Sequence, residues 1–219
     1  EHGARGARGV VLDPDTGDVL ALAAYPAFDP NRFNKATDEL RRNSVISLAS
    51  EPGSVMKPFT AAALLEQGLY RPGETVDCER GLWKKGARPI HDTHPHGVLT
   101  LPEVIEVSSN IGIVKFAQRL QNDDFYRVLV GLGFGRRTGI DLPAESAGVL
   151  TKPDQWKVVD HDSIAFGHSL SVTTLQLAVA MSTIANGGFR VTPRVGLSWE
   201  LPDGTRQPIP RPAPERAIA

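Results

Sequence analysis

Glu51-Pro52-Gly53-Ser54-Val55-Met56-Lys57-Pro58 holds a Ser-x-x-Lys element at the point where a helix is predicted to begin. The apolar positions Val55, Met56, Phe59, Ala62, Ala63, Leu64 and Leu65 carry that helix from near Ser54 to Gly68, where glycine suits a C-terminal stop. Residues three apart on a helix share a face, so the Lys57 amine reaches the Ser54 hydroxyl. A serine hydroxyl is a weak nucleophile until a neighbouring base takes its proton. A lysine serves as that base once burial or a nearby cation lowers its pKa. A helix start also sets backbone N–H groups beside Ser54, where an oxyanion would develop.

The tetrapeptide alone does not decide the matter. With 12 serines and 7 lysines in 219 residues, chance gives about 0.4 such matches. Ser54 as an N-cap and Lys57 as a solvated first-turn side chain would account for it equally well. The setting argues otherwise, because Lys57 stands among Val55, Met56, Pro58 and Phe59. A second element, Ser108-Ser109-Asn110, falls between two predicted helices, Leu101 to Val107 and Ile111 to Leu120. A Ser108 hydroxyl there can relay a proton between Lys57 and a leaving amine. The Asn110 amide can hold a substrate carbonyl and hydrogen-bond the lysine. The competing account is a helix–helix turn in which Ser108 caps the second helix.

Outward from these elements, Val10-Val11-Leu12 and Val19-Leu20-Ala21-Leu22 flank Pro14-Asp15-Thr16-Gly17 and read as a hairpin. Both arms are apolar, so the hairpin is expected in a buried sheet. Residues 25–34 read as irregular loop, and residues 70–99, rich in Gly, Pro, His and charge, as loop with short strands. A further helix is expected over 123–132 and a long one from Ser171 or Val172 to Ala185. Ser163-Ile164-Ala165-Phe166 makes a short strand at best. Residues 189–209 alternate around Pro202-Asp203-Gly204, a second hairpin, and the proline-rich 208–214 suits neither helix nor inner strand. No internal repeat or domain linker is visible, so residues 1–219 read as one partial domain. Strands at both ends with helices between them indicate an α+β fold.

Hydrophobic residues make up 41% and charged residues 22%, the balance of a globular protein long enough to bury a core. The net charge of −1 gives no electrostatic reason to expect nucleic acid as a partner. No apolar run is long enough to cross a bilayer. The opening Glu1-His2-Gly3 is not a signal peptide, and the chain reads as an excised piece of a longer protein.

Ser-x-x-Lys followed about 50 residues later by Ser-x-Asn resembles the serine acyltransferases that penicillin inhibits. The flanks narrow the resemblance to a class B penicillin-binding protein. They are Glu51-Pro-Gly-Ser-Val-Met-Lys-Pro-Phe59, Ser108-Ser-Asn-Ile-Gly-Ile-Val-Lys115, Leu12-Asp-Pro-Asp-Thr-Gly-Asp-Val-Leu-Ala21 and Pro26-Ala-Phe-Asp-Pro-Asn31. Gly133-Phe-Gly135 with Thr138-Gly-Ile-Asp-Leu-Pro143, and Gly167-His-Ser-Leu-Ser-Val-Thr-Thr-Leu-Gln-Leu-Ala178, extend it across residues 8 to 195. The acid-led Glu-Pro-Gly-Ser is similar to the septal-division or spore-wall type.

The resemblance implies the penicillin-recognising, β-lactamase-like α+β fold: an antiparallel sheet flanked by helices, with a helical subdomain and the site between sheet edge and subdomain. It implies Ser54, Lys57, Ser108 and Asn110 as catalytic residues of a D,D-transpeptidase and no cofactor or metal. Its implied partners are peptidoglycan stem peptides, β-lactam antibiotics, a membrane glycan polymerase and division proteins. Its implied place is the outer side of the cytoplasmic membrane, on an upstream anchor. The family's third motif, Lys-Thr-Gly or Lys-Ser-Gly, occurs nowhere in these residues. That strand would wall the cleft, donate an oxyanion N–H and bind the substrate carboxylate. Ala213–Ala219 resembles the start of the helix preceding it.

Other signals compete. His91-Asp92-Thr93-His94-Pro95-His96 collects possible metal ligands, but its spacing fits no strong zinc signature and Pro95 restricts the backbone. In the resembling family it is the loop before the second motif. Gly167-His168-Ser169-Leu170-Ser171 approaches the Gly-x-Ser-x-Gly nucleophile elbow, yet ends in Ser and lacks the βαβ setting. Cys78, between Asp77 and Glu79, is expected to be inert because acidic neighbours raise its pKa. A non-catalytic penicillin sensor or division scaffold of the same fold is the alternative function.

Overall fold

The computed structural model describes residues 3–85 and 88–219, so the opening Glu1-His2 and Gly86-Ala87 within the 70–99 segment lie outside the described residues. The first elements are β1 (Ala7–Leu12), β2 (Val19–Tyr25), α1 (Asp38–Arg41) and α2 (Ser44–Ser47). Then come α3 (Lys57–Glu66), β3 (Thr75–Asp77), β4 (Leu82–Lys85), β5 (Arg88–His91) and β6 (Val98–Thr100). The helices α4 (Leu101–Glu106), α5 (Asn110–Ala117), α6 (Asn122–Gly131), α7 (Asp160–Ala165) and α8 (Thr174–Ala185) follow. The chain ends with β7 (Phe189–Arg190), β8 (Ser198–Glu200), β9 (Arg206–Pro208) and β10 (Glu215–Arg216). Among the described residues every strand ladder is two-stranded and antiparallel. Helices and antiparallel strands together make the α+β composition expected.

Two compact units divide the chain: residues 1–50, 131–149 and 172–219 form one, and residues 51–130 and 150–171 the other. In the first unit, the β1–β2 turn forms because the Asp13 carboxylate accepts from the N–H groups of Asp15 and Thr16. A lone hairpin is marginal in water, so it needs a helical face to cover it. Val45, Ile46, Ile140, Leu175 and Val179 supply that core, with Val10, Leu12, Val19 and Leu22 packed against it. The hairpin, expected in a buried sheet, is covered on one face only: Val11 is 54% and Leu20 67% exposed. Alternating side chains point to opposite faces, and only one face meets the core.

The α8 helix starts at Thr174, later than Ser171 or Val172, because Thr173 and Gln176 close a capping box that sets the first turn. Gln176 also donates through Nε2 to the carbonyls of Arg136 (2.8 Å) and Ala147 (2.9 Å), pinning the 131–149 segment to the helix. The hairpin around Pro202-Asp203-Gly204 is observed as β8–β9. The tail departs from the expected helix start: Glu215–Arg216 pairs with Phe189–Arg190 as β10. Ladder bonds to β7 give this backbone the partners that a helical turn would otherwise supply.

The second unit is built around α5, whose Ile111, Ile113, Val114, Phe116 and Ala117 are all buried. A helix apolar on most sides belongs in a core. It packs against α3, where Phe59, Ala63 and Leu64 are buried, and against α4. Gly112 permits the α4–α5 approach, since a Cβ there would stand 2.4 Å from Val104 Cγ2. Thr100 and Glu103 close a capping box at the start of α4. Residues 163–166, expected as strand at best, belong to α7 and its C-cap.

Gln176→Leu removes the partners of two carbonyls and of the buried Thr173 N–H. Urea unfolding is expected to show a loss of about 3 kcal/mol; a change within about 0.5 kcal/mol would mean that these bonds do not hold the first unit.

Candidate active site

All four candidate residues lie in the second unit. The chain enters the helix through a 3-10 turn, Gly53–Met56, and becomes α-helical at Lys57. Ser54 is no cap: neither the turn nor the helix has a side-chain cap at its start. The hydroxyl is left for other work, and Ser54 is exposed.

The turn is seated by backbone. Gly53 has φ 59° and its N–H donates to the Gly167 carbonyl at 3.0 Å. A Cβ on Gly167 would fall 1.9 Å from the Gly53 carbonyl oxygen, so only glycine allows this approach. The Glu51 carboxylate accepts from the Ser169 N–H at 3.0 Å. The segment that resembled a nucleophile elbow therefore braces the Ser54 turn, and it follows a helix where an elbow would follow a strand.

Lys57 is 1% exposed. Its Nζ lies 2.8 Å from Ser54 Oγ, 2.9 Å from Ser108 Oγ and 2.9 Å from the Ser108 carbonyl oxygen. An ammonium has three N–H donors, and these three oxygens accept all of them. The neutral amine keeps two donors and gains a lone pair, so one hydroxyl can turn and give it a proton. Burial pushes the Lys57 pKa down to about 8, against the Asp92 carboxylate, which raises it. Near neutral pH a useful fraction is thus uncharged.

The second element divides its labour differently from the expectation. Ser109 caps α5, its Oγ accepting from the Gly112 N–H at 2.9 Å. Ser108 is not a cap; it sits at φ 59°, left-handed for a non-glycine residue, which turns both its carbonyl and its hydroxyl onto Lys57. Asn110 does not bond the lysine. Its Nδ2 donates to the His91 carbonyl at 2.9 Å, tying β5 to the start of α5.

Asp92 is the participant that the sequence reading missed. One oxygen accepts from the N–H groups of Asn110 (2.6 Å) and Ile111 (3.0 Å), the other from Ser109 Oγ (2.6 Å). An anion suits the helix N-terminus, and here it fixes the second element. These bonds occupy the one aspartate of the His-rich block. Its signal was an acid preceding a Ser-Ser-Asn helix start, a weak one at a separation of 17 residues. Cys78 is buried 3.4 Å from Ser109 Oγ; burial first, and then Asp92 and Asp77, push its thiol pKa up.

Comparisons with known proteins give the family and the fold. A family profile described as "Penicillin binding protein transpeptidase domain" matches residues 8–214. Penicillin-binding protein PbpB of Mycolicibacterium smegmatis is 40% identical over 99% of this chain and 34% of its own length. The probable peptidoglycan D,D-transpeptidase PenA of Neisseria gonorrhoeae is 36% identical over 85% of this chain and 32% of its own. The crystal structure of penicillin-binding protein 3 from Mycobacterium tuberculosis complexed with aztreonam superposes with TM-score 0.91. It is 38% identical, over 99% of this chain and 49% of that one. The chain thus spans about a third of the length of these curated relatives. The likeness bears out the penicillin-recognising α+β fold.

Asp92→Asn removes the charge that raises the Lys57 pKa. The pH profile of Ser54 acylation by a β-lactam is expected to have its inflection near 8 in the parent protein and below 8 in the variant. An unmoved inflection would mean that Asp92 does not act on Lys57 through its charge.

Proposed function

Because the chain belongs to the transpeptidase domain family of the class B penicillin-binding proteins, we propose that it crosslinks peptidoglycan stem peptides by D,D-transpeptidation through a serine acyl-enzyme in cell division. The observation that carries the reading is the buried Lys57 amine shared between the hydroxyls of Ser54 and Ser108. Ser54 Oγ attacks the penultimate D-alanine carbonyl of a stem peptide while its proton passes to neutral Lys57. The tetrahedral oxyanion that results is met by backbone N–H at the start of the Ser54 turn, and its collapse leaves the acyl group on Ser54 as an ester. Collapse breaks the peptide bond, and D-alanine leaves with a proton relayed from Lys57 through the Ser108 hydroxyl. An amine of a second stem peptide then attacks the ester, gives its proton back along the same path, and forms the crosslink. Ser54 is exposed and Lys57 buried, which suits a nucleophile that meets substrate and a base that does not.

A β-lactam presents its strained amide to the same hydroxyl and remains as the ester. Asn110 keeps its amide oxygen for a substrate N–H while Nδ2 holds His91. Peptidoglycan places the reaction on the outer side of the cytoplasmic membrane, with a glycan polymerase and division proteins as partners. The retained Ser54–Lys57–Ser108 bonding favours an enzyme over a scaffold of the same fold.

Intact-protein mass spectrometry after incubation with benzylpenicillin tests the assignment. One adduct is expected on the parent chain and none on Ser54→Ala. Lys57→Met is expected to slow acylation by about 10²–10⁴-fold. Acylation of Ser54→Ala would remove Ser54 from the role, and an unchanged rate in Lys57→Met would place the base elsewhere.

A further inference from the structure

A pocket of about 410 Å³ lies wholly within the second unit and shares no residue with the Ser54–Lys57–Ser108 cluster. One wall is the β4–β5 ladder, where Lys85 and Arg88 are cross-strand partners with Ile90 on the same face. The other is α7 with the residues before and after it, including Val158 and Phe166. Val158 is 98% exposed, an apolar side chain left bare at the pocket. The charges on the first wall are unequal. Lys85 Nζ lies 2.5 Å from the Asp162 carboxylate, which compensates it. Arg88 donates to Ser163 Oγ at 3.3 Å and has no carboxylate partner among the described residues. A mostly apolar pocket with one uncompensated guanidinium is complementary to a ligand that joins an aliphatic body to a carboxylate.

Two lining residues also stand one position from the backbone that braces the site. Ile90 precedes His91, whose carbonyl holds Asn110, and Phe166 precedes Gly167, whose carbonyl holds the Gly53 N–H. We propose that this pocket is a substrate subsite beside the acylation centre, taking an aliphatic residue and an adjacent side-chain carboxylate of the peptide, with Arg88 pairing the carboxylate. That the ligand is the substrate rests on the transpeptidase reading; the ligand class rests on the pocket alone.

The test is isothermal titration of Ser54→Ala protein, which binds without bond breaking. The probes are N-acetyl-glutamyl-leucyl-D-alanyl-D-alanine and its glutaminyl counterpart, which differ only in the side-chain charge. The glutamyl peptide is expected to bind about tenfold more tightly, as one well-placed charged hydrogen bond allows. Adding Arg88→Gln is expected to bring the ratio to about one and Arg88→Lys to restore part of it, with thermal unfolding midpoints unchanged. Equal binding of the two peptides to protein that retains Arg88, or a preference that survives Arg88→Gln, would overturn the proposal. A preference that depends on Arg88, in a protein whose Ser54 benzylpenicillin does not acylate, would keep the pocket's ligand class and overturn the transpeptidase reading instead.

Discussion

A lysine amine that is 1% exposed must find oxygen for every N–H it carries, and at Lys57 those oxygens are two hydroxyls and one carbonyl. The local architecture of the second unit follows from meeting that demand without a carboxylate. A contacting carboxylate would hold the amine charged and end its use as a base. Ser108 adopts its left-handed backbone so that one residue supplies two of the three acceptors. The 3-10 turn at Ser54 supplies the third, and the glycine contact between Gly53 and Gly167 keeps that turn in place.

The negative charge stands one layer back. Asp92 spends its oxygens on Ser109, Asn110 and Ile111, and acts on Lys57 through space. Burial lowers the lysine pKa and Asp92 tempers the fall, so the amine titrates near pH 8 rather than being locked in either form. The same carboxylate organises the helix start that presents Ser108. Position and electrostatics at the second element thus share one residue. On the other flank, Glu51 links the turn to Ser169, and Thr60 Oγ donates to the Ala165 carbonyl at 2.9 Å, fixing α3 to α7.

The chemistry was legible because it obeys local rules. The i, i+3 spacing put Ser54 and Lys57 on one face, and apolar neighbours marked Lys57 as buried. Ser108 and Asn110 were legible as a motif but not in their division of labour. Which serine caps α5 depends on whether Ser108 takes a positive φ, and no side-chain pattern encodes that. Asp92 was hidden because its partners lie 17 to 19 residues away, across a segment without hydrophobic periodicity. Similar long-range pairings decided the other departures: β7 claimed Glu215–Arg216 as a strand, and one-sided packing left Val11 and Leu20 exposed. Short segments took the conformation that their distant neighbours could satisfy, which a local reading does not contain.

The central claim is that Lys57 titrates far below an ordinary lysine because it is buried among neutral oxygens. An NMR titration of the lysine side-chain resonances, with Lys57 assigned by its loss in Lys57→Met, tests this directly. The account predicts a midpoint near 8; a midpoint near the ordinary 10.5 would contradict it and leave Ser54 without its base.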